Sequence, residues 1–180
     1  MPLNLLKKYP DLLDFKGLDD NAIIKSLLGV FDRDITNNEH FCFRGKRIYP
    51  IKTDGEIDMG REFNHLTRKE IEVQDESGTH KQRVFDKLRS ERLHWIKVHV
   101  EEQVEDSEIH VFSVQERNLK KRTNIVRTYI YNKTRKYVIV LEPQSKNGGA
   151  YYLLTAYPID QEYGEKAIQK KMANALPEVL

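Results

Sequence analysis

Apolar positions give the first reading of the chain. Behind Asp19 and Asp20, Ile24, Leu28 and Phe31 recur at spacings of four and three. Side chains so spaced share one face of an α-helix, and an aspartate ahead of them suits the N-cap, which predicts a helix over about 20–33. The leucines at 3, 5, 6, 12 and 13 surround Pro10, which interrupts any helix there. HFCFRGKRIYPIK (40–52) reads as two short strands around Gly45, and Gly55 and Gly60 punctuate 53–73, which ends in a short extended piece. DESGT (75–79) reads as a loop. In 80–103, Val84, Leu88 and Trp95 share a helical face, flanked by Phe85 and Ile96, so a helix is predicted with a break near 93–97.

The period then changes to two. EIHVFSVQE (108–116) alternates, and NIVRTYIYN (124–132) does so strictly. KYVIVLEP (136–143) and AYYLLTAYP (150–158) are almost wholly apolar or aromatic. NKTR (132–135) and QSKNGG (144–149) are short hairpin-like links. These features predict a four-stranded antiparallel meander, followed by a helix over 165–176. Segregated helices and strands make the class α+β: a helical N-terminal part, then a meander with a helix packed on one face and the other face free. The expected division is a helical segment at 1–39 and an α+β domain with a C-terminal helix at 40–180.

Composition narrows the function. Thirty Lys and Arg stand against 28 Asp and Glu, so the net charge of +2 offers no global cue for nucleic acid. A single cysteine, Cys42, excludes an internal disulfide framework and a Cys-rich zinc module; between two phenylalanines it reads as a small buried hydrophobe. No apolar run approaches the roughly 18 residues of a membrane span, and the N-terminus lacks signal-peptide features, so a cytoplasmic protein is expected. Mean hydropathy is −0.67, yet nine Tyr, seven Phe and one Trp argue for a folded chain. Metal-ligand spacings, a P-loop, GxGxxG and GxSxG are all missing, so no cofactor or metal is expected.

Local charge is more informative. Residues 117–136 hold Arg117, Lys120, Lys121, Arg122, Arg127, Lys133, Arg135 and Lys136 and no acid. Such a strip beside Tyr129, Tyr131 and Tyr137 suits a polyanion with stackable bases; alternatively it keeps a solvated hairpin soluble. Alternation puts Arg127 and Tyr129 on one face. On the last strand it groups Tyr151, Leu153, Thr155 and Tyr157. If Thr155 and Tyr157 join Arg127 and Tyr129, a guanidinium and hydroxyl donors can grip a phosphate; otherwise these are half-buried strand residues. Further candidates are His65 in NHLTR and Arg89, Arg92, His94 and Lys97 in RSERLHWIK. A histidine beside cations is biased toward its neutral form, which suits a general base.

MGREFNHLTR, RVFDKLRSERLHWIK, EIHVFSVQER, RTYIYNK, KYVIVLEP and YYLLTAYPID, in that order over about 40–160, resemble the phage-associated branch of the barnase–EndoU–colicin–RelE nuclease superfamily. The resemblance implies a small α+β endoribonuclease of toxin or phage-effector type. In such an enzyme the ribose 2′-hydroxyl attacks the adjacent phosphate without a metal and leaves a 2′,3′-cyclic phosphate. Carried onto this chain, it implies His65 or His94 as base or acid and Arg92, Lys97 and Arg127 as charge stabilisers. Tyr129, Thr155 and Tyr157 then position the phosphate or donate a proton. Arg89, Arg117, Lys120, Lys121, Arg122 and Arg135 are the candidate RNA contacts. The implied partners are RNA and an acidic immunity or antitoxin protein, with no membrane. The apolar segment before residue 40 is a candidate for self-association. The competing readings are a non-catalytic nucleic-acid-binding module and a protein-interaction domain.

Overall fold

Asp19 starts the first helix as its sequence suggests: its carboxylate accepts from the Ala22 N–H at 2.8 Å. Helix α1 (Asp20–Phe31) buries Leu27, Val30 and Phe31, then continues as a π-helical turn over Asp32–Thr36, past the expected end. These details come from a computed structural model that describes residues 3–50, 52–53, 55–76, 78–118, 122–144 and 149–180.

Strands β1 (Cys42–Phe43) and β2 (Lys46–Tyr49) form the expected pair around Gly45. Arg44 and Gly45 have φ of 50° and 76°, the two left-handed residues that a two-residue hairpin turn requires. Phe43 points inward, which leaves Cys42 only half-buried rather than fully in the core. A small ladder, β3 (Lys52–Thr53) and β4 (Glu56–Ile57), leads to α2 (Met59–Thr67). Asp58 caps α2 by accepting from the Arg61 N–H at 2.8 Å, despite the glycine at 60.

The fold departs most from the sequence pattern over 68–85. Residues expected as a short extended piece, a loop and the start of a helix form one hairpin, β5 (Arg68–Asp75) and β6 (Gly78–Phe85). Only Val84 and Phe85 mark the first turn of the expected helix, and both serve a strand equally well. Asp86 then caps a new start, accepting from the Arg89 N–H at 3.2 Å. The rest of the expected helix is two short pieces, α3 (Lys87–Ser90) and α4 (Trp95–Val100), with the break at 91–94.

Strands β7 (Ile109–Asn118), β8 (Thr123–Asn132), β9 (Tyr137–Gln144) and β10 (Ala150–Pro158) are consecutive antiparallel neighbours. The sheet is nevertheless six-stranded and mixed, in the order β1-β2-β10-β9-β8-β7, because β2 adds to β10 in parallel. The class is α+β, with α5 (Glu162–Ala173) closing the chain three residues earlier than predicted at each end.

Both sheet faces are covered. On one, Ile130, Ile139, Leu141, Tyr151 and Leu153 pack against Leu13, Phe15, α1, α2 and α4. On the other, Phe112, Val114, Tyr129, Val138 and Val140 pack against Ile168 of α5. The free face expected from the sequence is therefore absent in this region. The reason is visible in β9: Val138, Ile139, Val140 and Leu141 are all buried, and a strand apolar on both sides needs cover on both. The N-terminal segment belongs to the same core. The Tyr9 hydroxyl bonds Asp106 and accepts from Asn132 Nδ2 at 3.1 Å, and its ring meets Trp95 edge-on at 5.0 Å. Among the described residues no helix is long and apolar enough to cross a membrane.

Candidate functional site

The cationic strip acquires acids from elsewhere in the chain. Lys133 pairs with Glu108 at 2.7 Å, Lys136 with Glu165 at 3.0 Å, Arg135 with Asp106 at 3.7 Å and Arg127 with Glu116 at 3.1 Å. Arg117 and Arg122 are exposed at the far end of the β7–β8 hairpin, and Lys120 and Lys121 lie outside the described residues. Among the described residues four of its six cations are thus paired with acids, where the strip is purely basic in sequence.

Arg127 and Tyr129 sit in the most closed part of it. Glu116 Oε1 accepts from the Tyr129 hydroxyl at 2.6 Å and from Lys171 of α5, while Oε2 takes Arg127 Nη1. Burial opposes the charge on Glu116, but Lys171, Tyr129 and Arg127 together hold its carboxyl below the usual range. Burial, then Glu116, raises the Tyr129 hydroxyl well above its ordinary value, so it stays a proton-bearing donor to that carboxylate. This corner is a structural latch between sheet and helix.

A β-bulge determines where the last strand's candidates go. Leu153 pairs with Leu141, but Thr155 pairs with Val140, so Leu154 is an extra residue. The expected alternation of Tyr151, Leu153, Thr155 and Tyr157 is broken there. Tyr151 and Leu153 face the first core, joined by Ala156, whereas Thr155 and Tyr157 turn to the face that carries Arg127 and Tyr129. Strict period two could not show this, because a bulge shifts parity by one.

Thr155 and Tyr157 meet Arg89 of α3. Its Nη1 donates to the main-chain oxygens of His65 at 3.1 Å and Arg68 at 3.3 Å, and makes a longer 3.5 Å contact to Thr155 Oγ1. Its Nε faces Asp86 at 3.4 Å, and its guanidinium carbon lies 5.6 Å from the Tyr157 ring centre. One guanidinium thereby gathers the end of α2, the start of β5 and the end of β10. A threonine hydroxyl that accepts from arginine keeps its own hydrogen for another acceptor. Burial raises the Tyr157 hydroxyl and the charge on Arg89 lowers it; the first wins, so Tyr157 keeps its proton past its ordinary range.

Two hollows flank this point. The first, about 590 Å³, lies between α3, the end of β10 and α5, and is lined by Arg89, Tyr157 and Lys69 among others. The second, about 760 Å³, is lined by His65, Arg61, Asn64, Arg68, Arg83, Asp58, Glu70 and Gly60. Alternation at the root of β5 makes the partition: Arg68 and Glu70 line one hollow, Lys69 the other. His65 is half-buried. Burial first, then Arg83, Arg61 and Arg89, push its imidazole below the usual value, against a smaller opposing pull from Glu70. It is neutral at pH 7.

The other sequence candidates lie elsewhere. Arg92 turns back over Trp95 at 5.2 Å and donates to the Leu88 carbonyl. His94 is buried with Nε2 donating to the Asp11 carbonyl at 2.9 Å, and burial pushes it down to about 4. It and Lys97 line a hollow against the N-terminal segment. Arg61, Arg68, Lys69 and Arg83 were not singled out in the sequence; Arg61 neighbours His65 one turn away on α2, and Arg83 comes near only once 68–85 is a hairpin. Among the described residues no group of three or more His, Cys, Asp or Glu gathers as a metal site.

Comparison with known proteins adds no relative. No family model, no curated protein and no solved structure matches the chain.

Proposed function

We propose that the protein is a metal-independent endoribonuclease whose phosphodiester site is the cleft around Arg89. The observation that carries the reading is the convergence on one guanidinium of Thr155, Tyr157 and the segment bearing a neutral, half-buried His65. Transesterification of RNA needs a base for the 2′-hydroxyl, an acid for the departing 5′-oxygen and donors for the phosphorane. His65 takes the 2′-hydroxyl proton as the 2′-oxygen bonds to phosphorus. The bond from phosphorus to O5′ breaks, and Tyr157 supplies the proton to that oxygen. Arg89 and Thr155 neutralise and orient the equatorial oxygens, with Arg83 adding positive potential. The products are a 2′,3′-cyclic phosphate and a 5′-hydroxyl. The antiparallel run β7–β10 is the part of the expected layout that supports the reading, within a six-stranded mixed sheet. An acidic immunity or antitoxin protein covering these cations follows from the same reading.

The test is incubation of the full chain with RNA in excess EDTA. Cyclic-phosphate ends, lost about 10²-fold or more in His65→Ala and in Tyr157→Phe, support the proposal. Because the base must be unprotonated and the His65 imidazole is lowered, kcat/KM holds as pH falls through 6.5 and drops only below it. Intact RNA retained on a filter in a salt-sensitive way overturns catalysis in favour of a binding module.

A further inference from the structure

The two hollows beside Arg89 differ in chemistry, and the difference points to how a substrate lies across them. Every side chain lining the hollow around His65 is polar or charged, with three arginines among them. The hollow on the other side has an apolar wall, in Leu88 of α3 and Ala167 of α5. Tyr163, in the first turn of α5, stands on its rim with 76% of its surface exposed. Asp160 and Gln161 add hydrogen-bonding groups at the same edge. A sugar–phosphate chain favours cations and water, whereas a nucleobase favours a π-face, an apolar wall and a few polar groups for its edge.

We infer that the hollow between α3, the end of β10 and α5 is a nucleobase subsite, in which one base flanking the scissile phosphate is splayed out and stacked on Tyr163. This deepens the ribonuclease reading and rests on it for the placement of the phosphate at Arg89. The adjoining backbone then runs along the arginine-lined hollow. Leu88, itself 41% exposed, supplies the facing wall. The substrate class is accordingly single-stranded RNA, since a paired base must first be unpaired and unstacked to enter the cleft whereas an unpaired one enters without that cost.

The experiment uses the full chain and a labelled tetranucleotide with 2′-O-methyl riboses, which binds but cannot be cleaved. A matched set lacks the base at each position in turn. Tyr163→Ala is expected to weaken binding of the complete tetranucleotide about tenfold, the scale of one lost base stack, and Tyr163→Phe to bind like wild type. Removing the base at one position should weaken wild type by the same factor and Tyr163→Ala no further; that coupling identifies the stacked base. On cleavable RNA, Tyr163→Ala should raise KM about tenfold with little change in kcat. Wild-type affinity in Tyr163→Ala, or losses that simply add at every position, overturns the subsite even if RNA is cleaved. Coupling at one position without cleavage in EDTA keeps the subsite and overturns the enzyme.

Discussion

Arg127 and Arg89 both act on the Tyr157 hydroxyl and belong to opposite kinds of site. Around Arg127 the sheet, α5 and Glu116 close on one another: three donors converge on one carboxylate beneath a helix. Around Arg89 the packing leaves hollows, although the Arg89 side chain is itself the less exposed of the two, 21% against 35%. Its guanidinium is held by main-chain oxygens and one acid, hollows lie on both sides, and in the larger of these arginines outnumber acids. In sequence Arg127 is the stronger candidate, since it sits in a run of eight bases without an acid. In space four of those eight, Arg127, Lys133, Arg135 and Lys136, are paired with acids from β7, α5 and the loop before β7. Charge along a chain is therefore a poor guide to charge at a surface, because strand pairing chooses the neighbours.

The contrast can be broken from either side. The largest effect is expected for Arg89→Ala, which removes the group joining the two hollows. Its kcat/KM for RNA should fall about 10²–10³-fold, read as cyclic-phosphate release; a loss under threefold moves the site elsewhere. Glu116→Ala should act on stability instead. It strands Lys171, Arg127 and a buried tyrosine hydroxyl, at a cost of about 3 kcal/mol in denaturant unfolding. His94 sharpens the division further as a histidine placed away from the cleft. Unfolded it takes a proton near its ordinary value, but folded only near 4, so the unfolded state binds more protons between those values. Stability should fall as pH drops from 7 toward 4, by about 3 kcal/mol in all, and His94→Gln should flatten that dependence. The smallest effect is expected for Arg127→Ala, whose cleavage rate should stay within about threefold of wild type; a loss of 10² or more would join the two regions into one site.

Much of this arrangement was legible in the residues. The N-cap at Asp19, the turn at Gly45, the shift to period two after 107 and the final helix each follow from local chemistry. What was not legible depends on long-range facts. The hairpin at 68–85 was hidden because Val84 and Phe85 fit either period, and its polar residues carry no strand signal. The cover on the second face was missed although β9, apolar on both sides, demanded it. His65, Thr155 and Tyr157 were singled out by residue type, but the contact of Arg89 with Thr155, Tyr157 and the His65 main chain required the fold. The bulge at Leu154 has no mark in the sequence at all.

That extra residue has a consequence for how the gene can vary. Deleting Leu154 alone would restore strict pairing along β10 and leave every proposed functional side chain encoded. Thr155 and Tyr157 would keep Val140 and Val138 as partners and stay on the face they occupy now, with Ala156 still beside Ile139 in the interior. A three-nucleotide loss at this codon would thus straighten the strand without carrying any proposed functional side chain to the other face.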